Sequence, residues 1–199
     1  VGVAFRHDQP WSWGPYTIED LHALPEDGKG WELSQGWLVE MSPSPLHGAV
    51  AGNLHDALAR AAEAASAPVH VGRGGNEEFS IPAGVRKPDV FVIDSAARLA
   101  TLMEDRSTYS GADLILVAEV VSRRSGSEQT DRVVKRREYA EAGIPWYWIV
   151  DFRPVARIEV LALNDRGAYE TAHVAVDDEE LKVSDPFPII LTPATLLDV

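Results

Sequence analysis

Asp89 and Glu119 are carboxylates set in apolar company, 30 residues apart. The first lies in Lys87-Pro88-Asp89-Val90-Phe91-Val92-Ile93 and the second in Leu114-Ile115-Leu116-Val117-Ala118-Glu119-Val120-Val121-Ser122. β-Branched and aromatic residues dominate both runs, which therefore read as buried strands. An ionised carboxylate among such neighbours costs several kcal/mol unless a cation or a set of donors compensates it. If the strands are neighbours, alternation puts Asp89 on one face with Phe91 and Ile93, and Glu119 on the same face with Ile115, Val117 and Val121. Two converging carboxylates repel, and a divalent cation is the simplest reconciliation. The competing reading pairs each acid with a nearby cation, Arg86, Lys87, Arg123 or Arg124. Glu32 sits between Trp31 and Leu33 and points away from their face, as either an exposed strand acid or a third acid of the same site.

The elements that must position these acids follow from periodicity and punctuation. Thr17 caps a short helix that reaches Leu24 and stops at Pro25. Trp31–Leu33 and Trp37–Met41 form a hairpin through Ser34-Gln35-Gly36. Ser44-Pro45 opens a helix to about Ala65, with Val50, Leu54, Leu58 and Ala61 at helical spacing. His47 and His55 lie on it, as surface or capping residues more readily than as ligands. Short strands are expected over Pro68–Val71 and Glu77–Ile81, with Gly72-Arg73-Gly74-Gly75 as a turn, since the spacing and following helix of a phosphate loop are missing. Ser125 and Glu128 have capping-box spacing ahead of a helix from about Glu128 to Ala142, closed by Gly143 and Pro145. Asp131, Lys135 and Tyr139, four apart, share one of its faces. Strands follow over Trp146–Asp151, Arg157–Ala162 and Ala168–Val174, and a helical turn ends the proline-rich tail.

With 199 residues, 45% of them apolar, the chain is long enough for one well-filled core. Residues 1–15, with Trp11 and Trp13, read as an irregular arm and residues 16–199 as a single domain. The absence of cysteine excludes disulfides, thiolate zinc sites and cysteine nucleophiles. No run has signal-peptide or membrane-spanning character, so a soluble, cytoplasmic protein is expected. Its net charge of −13 opposes non-specific attraction to nucleic acid or anionic membranes. Residues 122–137 run against that balance, with six basic side chains against Glu128 and Asp131.

The order of these pieces resembles the PD-(D/E)XK nuclease superfamily and, more closely, the Uma2 family of restriction-endonuclease-like proteins. The matching pieces are Tyr16-Thr17-Ile18-Glu19-Asp20-Leu21, Trp31-Glu32-Leu33, Met41-Ser42-Pro43-Ser44-Pro45 with His47, Pro88-Asp89-Val90 and Ala118-Glu119-Val120-Val121-Ser122. Asp131, Lys135 and Tyr139 follow, and then Ala142-Gly143-Ile144-Pro145-Trp146 and on to Asp151. Where the superfamily's Glu-x-Lys would place a lysine, this chain has Val121, and in the Uma2 family the lysine comes from the following helix, here Lys135.

That resemblance implies an α/β, restriction-endonuclease-like fold. A central mixed β-sheet would be flanked by helices, with an N-terminal helix plus β-hairpin and a C-terminal β-hairpin. It implies a metal-dependent nuclease that hydrolyses phosphodiester bonds in DNA. Asp89 and Glu119, with the Val120 carbonyl, would hold Mg²⁺ or Mn²⁺. Glu32 would ligate a second ion or orient water, and Lys135 would orient or help deprotonate the attacking water. Without the resemblance, Lys135 is an ordinary helix ion pair with Asp131. Arg123, Arg124, Arg132 and Arg136 are candidate contacts to backbone phosphates, or else a solvated basic face. A homo-oligomer, a dimer first, is the expected assembly. The alternative function is an inactive nuclease-fold binding or assembly module, which the strong acidity motivates.

Overall fold

Thr17 opens the first helix by accepting from the Asp20 amide while the Asp20 carboxylate accepts from the Thr17 amide. The computed structural model describes residues 14–75, 77–121 and 128–198. From that cap the chain runs through α1 (Ile18–His22), β1 (Trp31–Ser34), β2 (Trp37–Glu40), α2 (Pro45–Ala64), β3 (Val69–Arg73), β4 (Phe79–Ile81) and β5 (Gly84–Arg86). It continues through β6 (Val90–Asp94), α3 (Ser95–Met103), β7 (Tyr109–Ser110) and β8 (Leu114–Val121). A π-helical turn (Thr130–Lys135), α4 (Arg136–Glu141), β9 (Trp146–Asp151), β10 (Arg157–Leu163), β11 (Tyr169–Val176), β12 (Leu181–Val183) and β13 (Ile189–Leu191) complete it. The capping pair at Ser125, the tryptophans of the N-terminal arm, Arg123 and Arg124 lie outside the described residues.

Six strands form the larger sheet in the order β11-β10-β9-β8-β6-β3, and five form a second in the order β2-β1-β5-β4-β7. Alternation along β8 divides the core in two. Leu116, Ala118 and Val120 join Val90 and Val92 of β6 under the Val50, Leu54 and Leu58 face of α2. Val117 and Val121 face the other way, with Phe91, Ile93, Tyr139 and Tyr147. Glu119 belongs to this second face by its parity, as the sequence implied.

Within the larger sheet β8 and β9 run parallel, whereas every other neighbouring pair is antiparallel. A parallel pair needs a crossover rather than a hairpin. The crossover here carries the π-helical turn and α4, and it lays Lys135 and Tyr139 over Glu119.

Several expectations are corrected. The strand read from Lys87 begins only at Val90, after a separate short strand that ends at Arg86. Pro88 has no amide to give a ladder, so the chain leaves one sheet and enters the other across Lys87–Asp89. Gly72 is inside β3 rather than in a turn, paired with Phe91 of β6, and a Cβ there would lie 2.1 Å from the Phe91 ring, which is why the strand carries a glycine. The helix after β8 is not one α-helix. Its first part winds as a π-helix, and the Tyr147 hydroxyl donates to the Asp131 carbonyl at 2.7 Å, a side-chain intrusion of the kind that breaks the α-helical ladder. The tail carries the unforeseen β12–β13 hairpin before its 3-10 turn at Pro193–Leu197.

Candidate active site

Asp89 stands one residue before β6, where the Val90↔Ala118 pairing brings it alongside Glu119 and Val120 of β8. Its Oδ2 accepts from the Val120 amide at 2.8 Å and lies 3.0 Å from His47 Nε2. Glu119 Oε1 takes two donors, the Tyr139 hydroxyl at 2.7 Å and Lys135 Nζ at 3.0 Å. The same ammonium lies 3.3 Å from Glu32 Oε1 and 3.5 Å from Asp131 Oδ1. One lysine thus serves three carboxylates.

Glu32 is neither exposed nor loosely placed. Strand pairing of Leu33 with Val85 sets it beside Arg86. Its Oε2 accepts from Arg86 Nη1 at 2.8 Å, and its Oε1 accepts from the Lys87 amide at 2.9 Å. Arg86 also donates through Nε to Glu138 Oε2 at 2.8 Å and through Nη2 to the Ser34 hydroxyl at 2.7 Å. The sequence offered Arg86 and Lys87 as partners for Asp89 or Glu119. Arg86 instead neutralises Glu32 and Glu138, and Lys87 Nζ pairs with Glu78 at 2.8 Å.

Five carboxylates, those of Asp89, Glu119, Glu32, Asp131 and Glu138, face two fixed cations, Lys135 and Arg86. The crowding shifts the titration of Glu119, Asp131, Glu32 and Lys135. Burial pushes the Glu119 carboxyl well above the usual range; Lys135 opposes that, while Asp89, Asp131 and Glu32 add to it. Burial likewise lifts Asp131 to about 6, against the pull of Lys135. Glu32 is buried as deeply, yet Lys135 and Arg86 outweigh the desolvation and hold it below the ordinary value. Burial works against charge on Lys135, but Glu119, Glu32 and Asp131 keep its ammonium well above the usual lysine range. For His47, desolvation is outweighed by Asp89, with a further contribution from the Val120 backbone, and its pKa rises.

The donor set fits a magnesium-class ion in kind. Asp89 Oδ1 and Glu119 Oε2 accept no hydrogen bond among the described residues. No three His, Cys, Asp or Glu side chains among those residues enclose an ion by themselves. Hard, water-retaining cations of this class take one or two protein carboxylates rather than a closed cage.

The three sequence-nominated acids and the lysine meet, but of the nominated arginines Arg132 and Arg136 do not join them. Arg132 is spent on Asp151 and Glu128, and Arg136 donates through Nη2 to the Tyr169 carbonyl at 2.8 Å. Five participants were not nominated as site residues: His47, Arg86, Asp131, Glu138 and Tyr139. The local signs were the position of Arg86 next to Lys87-Pro88-Asp89 and the shared helix face of Asp131, Lys135 and Tyr139.

A family described as "Uma2: Putative restriction endonuclease" matches residues 18–197, most of the chain. The chain belongs to the Uma2 family. The fold agrees with that of a solved structure, "a putative nuclease belonging to DUF820 from Anabaena variabilis ATCC 29413", at a TM-score of 0.65 and 16% identity. The alignment covers 92% of this chain and 98% of the other. No curated protein matches the chain. The Uma2 architecture is therefore restriction-endonuclease-like, as expected, and among the described residues no helix is long and apolar enough to cross a membrane.

In this Uma2 chain Gly74 keeps Asp89 in place. Its amide donates to the Asp89 carbonyl at 2.7 Å, and a Cβ would lie 2.4 Å from the Pro88 carbonyl oxygen. Gly74→Ala should therefore cost about 1–3 kcal/mol through overpacking against backbone. Urea unfolding measures it, and an unchanged midpoint would show that the Pro88-Asp89 segment yields without cost.

Proposed function

We propose that this protein is a metal-dependent nuclease that hydrolyses phosphodiester bonds in DNA. The observation that carries this reading is the meeting of Asp89, Glu119 and Lys135, each from a different part of the chain, beside the Val120 backbone. Asp89, Glu119 and the Val120 carbonyl would hold Mg²⁺ or Mn²⁺. Bound there, the ion would polarise a phosphoryl oxygen and lower the pKa of a coordinated water.

The remaining residues orient and neutralise. Tyr139 and Lys135 both donate to Glu119 Oε1, which leaves Oε2 as the oxygen for the ion. Lys135, a fixed cation, offsets negative charge that develops on the phosphoryl group. Glu32 restrains that ammonium from β1, and Arg86 restrains Glu32. Asp89 is the most open of the four nominated side chains, at 22% exposed, so ion and substrate approach from its side. Pairing of two copies would let a homodimer address both strands. A cysteine-free chain suits the reducing cytoplasm.

The test is nicking of supercoiled plasmid by the purified full chain in Mn²⁺. The wild type should nick, and both EDTA and Asp89→Ala should reduce the rate by at least about a hundredfold. Equal rates for wild type and variant would assign the cleavage to a contaminant. Failure of the wild type to nick or to bind Mn²⁺ would favour the inactive binding module, a reading in keeping with the net charge of −13.

A further inference from the structure

His47 reaches from α2 to Asp89, a place that its expected surface or capping role does not account for. It occupies the first turn of the helix, where Ser44 accepts from its backbone amide at 3.2 Å. That cap, with Pro45 behind it, fixes the start of a 20-residue helix whose Val50, Leu54 and Leu58 are anchored in the core. The side chain is 12% exposed and therefore has few alternative places to go. Its Nε2 lies 3.0 Å from Asp89 Oδ2.

We propose that His47 is a positioning residue for Asp89. Together with the Val120 amide its ring grips Oδ2, so that Oδ1 is the oxygen presented to the ion. The proposal rests on the reading of Asp89 as an ion ligand. A hydrogen bond from the Val120 amide and the 3.0 Å approach of the imidazole, both on one oxygen, fix the rotation of the carboxylate and the choice of the oxygen that remains. Such outer partners of a ligating group typically govern metal affinity by about 10–100-fold. The imidazolium, or the neutral ring in its Nε2–H tautomer, carries the proton this contact needs. His55 supplies the contrast within the same helix, since its ring bonds the exposed Asp56 at 2.8 Å, with no site acid as its partner.

Calorimetric titration of the full chain with Mn²⁺ tests the assignment. His47→Ala should weaken binding by about 10–100-fold. His47→Gln, which restores a side-chain N–H of similar reach, should recover most of the loss. His55→Ala should bind as the wild type does. Thermal unfolding of each variant without metal separates loss of affinity from loss of fold. Unchanged or tighter binding by His47→Ala would overturn the positioning role while leaving the metal site intact. Complete loss that Gln does not repair would also overturn it, and would make the imidazole a direct ligand. If the wild type takes up no Mn²⁺, the nuclease reading itself fails, and the inference falls with it.

Discussion

Arg86→Met should lower the free energy of unfolding by about 3–5 kcal/mol, the usual cost of stranding buried charge. The guanidinium is fully buried and is the shared partner of Glu32 and Glu138, which come from a strand of the smaller sheet and from α4. Methionine fills the space but returns neither the charge nor the fork of donors. Both carboxylates would then have to take up protons or water inside the core. Chemical denaturation should show a lower midpoint at an unchanged slope. Arg86→Lys should recover only part, because an ammonium cannot span Glu32, Glu138 and Ser34 in the planar geometry seen here. A methionine variant as stable as the parent would mean that this buried cluster contributes nothing net to the fold.

Lys135→Met should reduce plasmid nicking by about 10²–10³-fold and also make stability more sensitive to pH. Loss of the ammonium removes the cation shared by Glu119, Glu32 and Asp131. The Glu119 and Asp131 carboxyls, already raised, must rise further above their unfolded values, and Glu32 loses the larger of the two attractions that hold it low. A carboxyl raised in this way leaves the fold unharmed below its unfolded pKa and costs stability once the pH climbs through the folded value. The gap between variant and parent should therefore widen from pH 5 to pH 8, to about 3 kcal/mol. Urea midpoints across that range give the answer. A gap independent of pH would show that Lys135 is not the counter-charge of the cluster.

Much of the scaffold was legible because it is local. Ser44-Pro45 announces α2 at its first residue, and the apolar spacing carries it to Ala64. The run Leu114–Val121 declares a buried strand, and the alternation within it assigns Glu119 its face. The partners of the acids were harder, because they depend on register between distant segments. Nothing in residues 31–34 says that Leu33 will lie against Val85, yet that pairing decides that Arg86 meets Glu32 rather than Asp89 or Glu119. His47 was hidden for a similar reason, since a first-turn histidine reads alike whether or not an acid waits across the gap. The β12–β13 strands, three residues each, are too short for alternation to stand out.

The wider winding at Thr130–Lys135 has a consequence for the length of the chain at that point. A π-helical turn is an α-helix holding one surplus residue, and that residue can be surrendered without disturbing the strands on either side. Relatives shorter by one position just ahead of the lysine should then revert to ordinary α-helical winding and still deliver the amine to the same acids. Sequence spacing between glutamate and lysine would drift across such proteins while the distance between their side chains stays put.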